Sequence, residues 1–548
     1  MQKEPDMTPN MADWMIDELQ FKSIIYEHTG AVGLYNGDIT KSDINVPKEM
    51  RLKLVEGIKR LQEAPPELRF FNPGTNYTQE DLIPIAFCCL VYGRTHVLKD
   101  KLIGVDEALS HAGQGDVIPV PEDTGITRED MAWRVAAQAD VTSRPYSRQF
   151  QLLPCELNMK DDGRWHITSY VNNLHPVKYH DIYGLIEDVF NMVIPQLNAT
   201  LTPLKDMLHS RARITYKKAE YYPVPKEVEE QMPQPGEKEA QVEFEDRLHR
   251  WRMQNYKAIQ PDAGKFIPWA VPRWMMPNLP LDMATPIRLE NEVDLNNEYT
   301  KRGLQIVVRI FNIELTPESP RFESGWHGAG QMVRLPCPPL FNASNPSDMK
   351  QPTNNTQNDH ICASAFYTVS LDNVNIPVMA FRHIAEIASL SEVQHEPNDT
   401  AWLKQVFGLD VGDPAVQESG KILCYEGRMI TFPSTIQHRY ESIELVDKSK
   451  PGSAKAFSFF LVDPNIRIIS TANVPPQRLD WAFEGADAAE LEGLNESLDK
   501  LSMGFQDRRE NLPFSMNEAK RLHAQVFKEL IEFTKYTSVA FDSNRVSV

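Results

Sequence analysis

A series of short apolar runs between residues 303 and 478 is the feature that most constrains how this chain folds. The runs are rich in β-branched and aromatic residues, and turn-forming pairs such as Glu426-Gly427 separate them. The candidate strands are residues 305–314, 361–369, 378–384, 421–425, 428–432, 440–446 and 455–462. Several short strands joined by turns are typical of an antiparallel barrel or jelly roll. We therefore expect a β-rich core over residues 263–478.

Helical periodicity appears on both sides of this core. Residues 48–61 form an amphipathic run that Pro65 and Pro66 end, and residues 515–535 carry the same pattern in the tail. Residues 180–197 predict another helix. Together with the strands, these runs predict an α+β fold with helical N-terminal and C-terminal flanks.

Two further segments complete the expected secondary structure. Residues 149–157 and 165–171 are strand candidates on either side of a turn at residues 160–163, which predicts a hairpin. Residues 83–92 are the longest apolar stretch. We expect a buried helix there, because a transmembrane helix needs about 20 such residues.

Composition divides the chain into five regions. Residues 223–245 are dominated by Glu, Gln, Lys and Pro, which bury too little apolar surface to offset the entropy lost on ordering. We therefore predict an acidic, flexible linker there. The expected regions are a helical N-terminal region (1–110), a mixed α/β region packing on the core (111–222), the linker (223–262), the β-rich core (263–478) and C-terminal helices (479–548).

Charge and targeting patterns exclude several kinds of partner. The formal net charge of -19 at pH 7 opposes the phosphate backbone of nucleic acid, so we expect no DNA or RNA partner. The first residues lack the basic and apolar regions of a secretory signal, and no run is long enough to enter a membrane, which favours the cytoplasm. Six cysteines without CxxC spacing indicate neither a disulfide framework nor a zinc site. The oligomeric state stays open.

Two histidines, each placed after an apolar run, form the clearest chemical signal. His327 lies in the segment GWHGAG at residues 325–330, and His438 ends a later run. The pair resembles the two imidazoles of a mononuclear iron site. Such sites add Asp or Glu two residues after the first histidine, because alternation along a strand returns that side chain to the metal. Position 329 is Ala, so the expected third ligand is missing.

Five longer segments carry a resemblance to a known family. These segments are residues 90–98, 167–176, 301–305, 313–317 and 460–477. Over nearly its whole length the chain resembles the fungal family called domain of unknown function 4246, whose members are similar to iron(II)/2-oxoglutarate-dependent oxygenases. The resemblance implies a double-stranded β-helix core of the jelly-roll or cupin type. It also implies Fe(II) and 2-oxoglutarate as cofactors, a small-molecule substrate of unknown identity, and His327 and His438 as metal ligands.

The chain departs from the family pattern at two neighbouring places. Ala329 stands where the family has Glu, and residues 333–357 form an insertion rich in Pro, Asn and Thr. The insertion begins with Val and ends with Gln, whose codons fit the two ends of an intron. It is therefore either a retained intron or an ordinary surface loop.

Ala329 allows three interpretations of the site. Loss of a carboxylate lowers the affinity for a divalent cation, which would leave a non-catalytic scaffold or a small-molecule binding protein. Another acid, Asp359 or Glu323, would otherwise supply the ligand, and Asp359 is easier to place if residues 333–357 loop out. A His-x-Ala site is also similar to the halogenase variant of this oxygenase class, in which the vacancy admits chloride.

A 2-oxoglutarate site also requires a cation for the distal carboxylate of the co-substrate. Lys455 opens the last strand and alternates in phase with Phe457 and Phe459, so we expect its ammonium group to point inward. Arg439 and Arg467 are the alternatives. A solvated position at the end of the strand explains Lys455 equally well.

The remaining pocket candidates are residues next to these strands. Trp326 and Ala329 adjoin the first histidine, and Asn172 and Asn173 follow a strand candidate. Asparagine side chains also cap turns by bonding to nearby backbone, which explains Asn172 and Asn173 without a pocket.

Overall fold

The structure is a computed structural model of the chain. It describes residues 7–547 except 36–37, 66–67, 73–74, 124, 206–215, 264–265, 267–292, 329–356, 385–389, 391, 398 and 483–512. Ala329 and the predicted insertion as far as residue 356 lie outside the described residues.

Helices lie on both sides of the strands at residues 304–462, and short strands lie among the N-terminal helices. The described helices are α1 (Pro9–Thr29), α2 (Lys48–Gln62), α3 (Arg128–Ala137), α4 (His180–Lys205), α5 (Lys226–Glu229), α6 (Gln241–Asn255), α7 (Leu295–Glu298), α8 (Ala401–Phe407), α9 (Leu479–Ala482) and α10 (Met516–Ser543). α10 begins at a side-chain cap, because Ser515 accepts a hydrogen bond from the backbone N–H of Glu518. None of the described helices is long and apolar enough to cross a membrane.

The strands are mostly short and pair antiparallel throughout the ladders. They are β1 (Ala31–Leu34), β2 (Ile39–Ser42), β3 (Phe70–Phe71), β4 (Gln79–Asp81), β5 (Leu90–Val91), β6 (His96–Val97), β7 (Asp116–Val117), β8 (Phe150–Gln151), β9 (Cys155–Met159), β10 (Trp165–Ile167), β11 (Leu304–Leu315), β12 (Arg321–Phe322), β13 (Ile361–Asp372), β14 (Val378–Ile384), β15 (Val416–Leu423), β16 (Met429–Pro433), β17 (Gln437–Tyr440), β18 (Ile443–Glu444) and β19 (Gly452–Val462). The longest of them, β11, β13 and β19, lie next to one another.

Ten of the described strands form one large sheet. Its central path runs β1-β2-β16-β13-β19-β11-β4-β3, while β9 also pairs with β11 and β10 pairs with β9. The register of β19 places Ser458 opposite Arg309 of β11 on one side and opposite Phe366 of β13 on the other. Neighbouring residues of a strand point to opposite faces, so this register fixes which side chains share a face.

The two faces of the large sheet pack against different partners. On one face, called the outer face below, Phe459 belongs to the core shared with α2 and α4, and its ring lies 5.4 Å from that of Phe190. The opposite, inner face carries Phe366 and Phe432. The Phe432 ring lies 5.2 Å from that of Phe381 in β14.

A smaller sheet faces the inner face of the large one. Its order is β15-β14-β17, and His438 of β17 pairs with Phe381 of β14. Next to β17, the chain at His327 forms an isolated antiparallel bridge with His438. The β-rich core therefore lies between two antiparallel sheets, and helices cover the outer face of the larger one.

The expected α+β class is confirmed, and several predicted elements are present. α2 and α4 contain two of the predicted helices, and α10 begins one residue after the start of the third. β9 and β10 form the predicted hairpin, but the first predicted strand is divided, because Phe150–Gln151 belongs to β8, which pairs with β5. The predicted strand 440–446 is divided instead, because β17 ends at Tyr440 and β18 covers Ile443–Glu444. β15 begins at Val416, earlier than the predicted residue 421.

Residues 83–92 do not form the predicted helix. They are buried, but they form turns that lead into β5. The carbonyl oxygens of Pro84 and Phe87 accept hydrogen bonds from the side-chain amide of Asn173, at 2.7 and 2.6 Å. Hydrogen bonds from a distant part of the chain thus satisfy backbone groups that a helix would otherwise pair internally.

The predicted flexible linker at residues 223–262 contains helices instead. α6 packs near α8, and Leu248 and Ala258 are buried. The side-chain oxygen of Gln405 in α8 accepts a hydrogen bond from the backbone N–H of Ala258 at 2.6 Å. Apolar residues in the second half of the segment therefore gain enough burial to hold it against the body of the protein.

Candidate metal centre

Backbone pairing brings the two predicted histidine ligands together. The backbone N–H of His327 donates to the carbonyl oxygen of His438 at 2.8 Å, and the N–H of His438 donates to the carbonyl oxygen of His327 at 2.7 Å. Directly opposed residues in an antiparallel pair place their side chains on the same face. The two imidazole ring centres are 6.1 Å apart.

His438 is enclosed by aromatic side chains of the inner face. It is 7% exposed, and its ring centre lies 4.6 Å from that of Phe432 and 5.5 Å from that of Phe366. Burial, with a smaller contribution from His327, lowers the pKa of His438 to about 3. Its Nδ1 is buried and has no hydrogen-bond partner among the described residues. The ring is therefore neutral at pH 7 and has a nitrogen available to a ligand.

His327 has a different environment. Protein atoms surround it at longer range, and that burial, followed by the charge of Arg309, lowers its pKa. More than a third of the residue nevertheless remains accessible to solvent. Because His327 keeps part of its hydration, its pKa is lowered less, to about 4, than that of His438. The enclosed and the accessible imidazole together line one side of an opening.

A buried ion pair lies close to the histidines on the inner face. The Nε and Nη2 atoms of Arg309 donate to Oδ1 of Asp81, at 2.9 and 2.6 Å. Burial raises the pKa of Asp81, and the charge of Arg309 opposes that rise. The same guanidinium is close enough to lower the pKa values of His327 and Tyr440 by its charge, although burial raises the pKa of Tyr440 overall. A cation is thus fixed beside the accessible imidazole.

Ser458 adds a second polar group to this part of the inner face. It is fully buried, and its Oγ has no hydrogen-bond partner in the described part of the chain. Its place directly opposite Arg309 follows from the pairing of β11 with β19. Sequence reasoning missed both residues. A charged residue inside the apolar run of β11 was the available signal for Arg309, whereas a serine carries no such signal.

The two imidazoles lie close enough to share a divalent metal ion only at a wide angle, and the site is incomplete. A metal–nitrogen bond of about 2.1 Å puts an ion about 3.3 Å from a ring centre, so rings that bind it at about 90°, as in a facial iron site, lie about 4.7 Å apart, and rings on opposite sides of it about 6.6 Å apart. The observed 6.1 Å lies between these values, so the two rings have to move closer together to bind one ion as neighbouring ligands. The described residues contain no group of three His, Cys, Asp or Glu side chains able to hold a metal. Within that part of the chain, the site offers two imidazoles without a carboxylate.

The structure does not bring Lys455 to the histidines. Lys455 is half-buried and stays in phase with Phe457 and Phe459, as predicted. Those two side chains pack on the outer face with α4, so the phase that contains Lys455 points away from His438. The expected inward direction is therefore corrected, because the aromatic side chains of this strand face the helices and not the opening.

Arg439 and Trp326 lie on the far side of the small sheet, facing away from the large sheet. Each is next in sequence to a histidine, and alternation turns it away from the side that the histidines occupy. The guanidinium carbon of Arg439 lies 4.4 Å from the centre of the Trp326 ring. Arg467 is elsewhere, because it donates to the carboxylate of Glu156 and to the carbonyl oxygen of Arg302.

The proposed substitute acids also stay apart from the histidines. Asp359 is buried, and it accepts a hydrogen bond from the backbone N–H of Leu152 at 2.8 Å. Glu323 is exposed and forms an ion pair with Arg321. Neither completes a metal-binding group with the two imidazoles.

Asn172 and Asn173 have structural contacts. Both side chains donate to backbone carbonyl oxygens in the turns at residues 84–88. Asn173 also has a positive φ of 66°, which asparagine tolerates better than most residues. The turn explanation of these two residues therefore accounts for their contacts without a pocket.

Comparison with solved structures gives remote similarities. One is a selenomethionine-labelled Fe(II)/(alpha)ketoglutarate-dependent dioxygenase, TqaL, with 9% identity and a TM-score of 0.17 over 32% of this chain and 48% of that one. Another is IDO from Bacillus thuringiensis, with 8% identity and a TM-score of 0.16 over 30% of this chain and 47% of that one. The chain thus spans about half the length of each. No curated protein matches it.

A protein family gives a much broader match. The pattern described as "Protein of unknown function (DUF4246)" matches residues 9–485, which include both histidines and the described strands of the two sheets. The predicted resemblance is confirmed at this level. The chain belongs to the DUF4246 family.

Proposed function

We propose that this protein is an iron(II)/2-oxoglutarate-dependent oxygenase-like protein in which His327 and His438 hold the metal. The reciprocal backbone pairing of these histidines is the observation that carries the proposal, because it sets two neutral imidazoles side by side. Iron(II) accepts imidazole ligands and leaves open positions for a co-substrate and dioxygen. His438 contributes an enclosed nitrogen, and His327 contributes one that solvent and small molecules reach.

The same proposal includes a double-stranded β-helix as the core. Its support is the alternation of strands between the two sheets. Along the chain from β11, the segments at 304–315, 327, 361–372, 378–384, 416–423, 429–433, 437–440 and 452–462 fall into the orders β11-β19-β13-β16 and His327-β17-β14-β15. In such a fold the ligands from the small sheet point toward the inner face of the large one. That is the side on which Phe366 and Phe432 enclose His438.

We assign the binding of a 2-oxoglutarate carboxylate to Arg309 and Ser458 in place of Lys455. No described contact uses Nη1 of Arg309, and the Oγ of Ser458 has no hydrogen-bond partner within the part of the chain that the structure describes. A carboxylate accepts hydrogen bonds from both kinds of donor. When bound, iron(II) and 2-oxoglutarate supply an oxidant made from dioxygen, and the protein supplies binding and orientation.

A second candidate is a non-catalytic protein that keeps the fold and binds a small molecule. The absence of a third ligand among the described residues, together with Ala329 in the sequence, favours this alternative. The halogenase variant is a third outcome, in which chloride takes the place of the carboxylate. Metal affinity and turnover separate the three.

Anaerobic titration with Co(II) tests the metal site directly. We expect one equivalent to bind, and His438→Ala to weaken that binding by at least about 100-fold, as removal of a ligand does more than loss of its supporting hydrogen bonds. His180→Ala is the matched control, because His180 is exposed at the start of α4. Equal affinity in the wild type and in His438→Ala would refute the assignment.

Turnover then separates the enzyme from the scaffold. Release of succinate from 2-oxoglutarate in the presence of Fe(II) identifies an oxygenase, and dependence of turnover on chloride identifies the halogenase variant. Ala329→Glu, made with and without removal of residues 333–357, restores the family's third ligand. We expect it to tighten metal binding by at least about tenfold, because a carboxylate adds a negative ligand to the divalent ion. If neither change produces metal binding or decarboxylation, the oxygenase proposal is wrong.

A further inference from the structure

The face of the small sheet that points away from the large sheet holds a tryptophan in contact with two arginines. The guanidinium carbon of Arg382 lies 4.5 Å from the centre of the Trp326 ring, and that of Arg439 lies 4.4 Å from it. Arg382 and Arg439 come from β14 and β17, on the same face, because Ala380 pairs with Arg439 and Arg382 pairs with Gln437. We call these three residues the Arg-Trp-Arg cluster.

The two arginines differ in how their hydrogen-bond donors are used. Arg382 donates from Nε to the side-chain oxygen of Gln437 at 2.7 Å and from Nη1 to Asp542 at 2.9 Å. Arg439 forms no hydrogen bond or ion pair with any described residue, and its Nε is buried without a partner. A buried guanidinium nitrogen without an acceptor is unusual, because arginine has five donors and no way to lose its charge.

Nearby carboxylates do not supply the missing acceptor. Asp542 is bound to Arg382, and Glu441, two residues from Arg439, is bound to Lys421 at 2.6 Å. Glu418 lies directly opposite Arg382 in the pairing of β14 with β15, and its charge acts on that guanidinium. The described acids of this face therefore act on Arg382 or Lys421, and no contact joins any of them to Arg439.

We infer that the Arg-Trp-Arg cluster is a binding site for an oxyanion, either a phosphate or a carboxylate group, held mainly by Arg439. The cation–π contact with Trp326 holds the Arg439 guanidinium in place, and a planar guanidinium offers parallel N–H donors that match two oxygens of one anion. An attraction between the charge and the ring does not require an N–H donor, so the donors stay available for an anion.

This site is separate from the candidate metal centre. Trp326 and Arg439 each adjoin a metal-ligand candidate in sequence, but alternation puts them on the opposite face of the small sheet from His327 and His438. Anion binding at the Arg-Trp-Arg cluster therefore does not depend on the proposed oxygenase function, and we expect it in the absence of metal.

Calorimetric titration of the metal-free full-length protein with inorganic phosphate and, separately, with succinate at constant ionic strength tests the inference. We expect saturable binding of at least one of the two anions with one site per chain. Arg439→Gln should weaken that binding at least about tenfold, because it removes the charge and the paired donors. Arg321→Gln removes the same charge from an exposed arginine that has two acidic neighbours, Glu323 and Glu444, and should leave affinity unchanged.

A conservative variant keeps the test decisive if Arg439→Gln folds poorly. Arg439→Lys retains the positive charge but loses the planar fork, so we expect weaker binding than in the wild type. The stronger binder of the two probes identifies the anion as a phosphate or a carboxylate. Absence of saturable binding to the wild-type protein, or unchanged affinity in the folded Arg439 variants, would overturn the inference. Binding that persists in His438→Ala would show that it does not arise from the metal centre.

Discussion

The same strands form both faces of the large sheet, but the side chains on the two faces have different roles. In β19, Phe457 and Phe459 turn outward and pack with α4, whereas Ser458 between them turns inward, beside Arg309. A shift of one residue along a strand therefore exchanges a packing position for a candidate binding position. Residue type alone does not separate the two, because Phe366 on the inner face is as apolar as Phe459 on the outer one.

What distinguishes the inner face is the convergence of its polar groups. Unpartnered buried atoms also occur among the outer-face residues, as at the hydroxyl of Tyr367. On the inner face, however, the hydroxyl of Ser458, the Nδ1 atom of His438 and the Arg309–Asp81 ion pair belong to neighbouring strands and facing sheets. We infer that stability resides mainly in the outer face, whereas polar chemistry concentrates on the inner one.

Removal of an outer-face side chain should have the largest effect on folding. Phe459 is 1% exposed, so Phe459→Ala leaves a cavity and should lower the free energy of unfolding by about 3–5 kcal/mol. Leu102→Ala is the control, because Leu102 is 68% exposed and its truncation should change stability by less than about 0.5 kcal/mol. Urea unfolding followed by circular dichroism measures both. A loss at Phe459 no greater than that at Leu102 would contradict the assignment of stability to the outer face.

The strands of the core were predicted better than the side to which each of their side chains points. Alternation in β19 correctly grouped Lys455 with Phe457 and Phe459, because a period of two is a local property. Which group faces the opening depends on where α4 packs, and no residue of β19 encodes that. The helix predicted for residues 83–92 is wrong for a related reason. Asn173, far along the chain, supplies hydrogen bonds that a helix would have made locally.

The candidate site was predicted in part. His327 and His438 follow apolar runs, and the structure brings them together through two backbone hydrogen bonds. Arg309 was not identified, because its importance depends on a buried partner, Asp81, which lies 228 positions earlier in the chain. Ser458 was missed because its missing hydrogen-bond partner is visible only in three dimensions.

The inner face should also carry a dependence of stability on pH. His438 has a pKa of about 3 in the folded chain, below its ordinary value of 6.5, so the unfolded chain binds the additional proton between these values. Its contribution to stability is complete above pH 6.5 and decreases as the pH falls toward 3. From pH 7 to pH 5 we expect a loss of about 2 kcal/mol from this group.

His438→Leu tests that expectation in the metal-free protein. Leucine does not titrate, so the variant should lose less stability between pH 7 and pH 5 than the wild type, as measured by urea unfolding at each pH. His180→Ala, at an exposed position, should keep the dependence of the wild type. Equal slopes for His438→Leu and the wild type would mean that His438 is not enclosed in the folded protein.

The substitution with the smallest expected effect on stability gives the most direct comparison of the two faces. Ser458→Ala removes a hydroxyl that has no hydrogen-bond partner among the described residues, so stability should change by less than about 0.5 kcal/mol. If this hydroxyl binds the co-substrate, the affinity of the Co(II)-loaded protein for 2-oxoglutarate should fall about fivefold to tenfold, or about 1–1.4 kcal/mol. Lys455→Gln, three residues away on the outer face, should change that affinity by less than about twofold, because its side chain lies across the sheet. Anaerobic calorimetry measures both variants. The opposite ranking would place the co-substrate on the side of Lys455 and would reverse the roles assigned to the two faces.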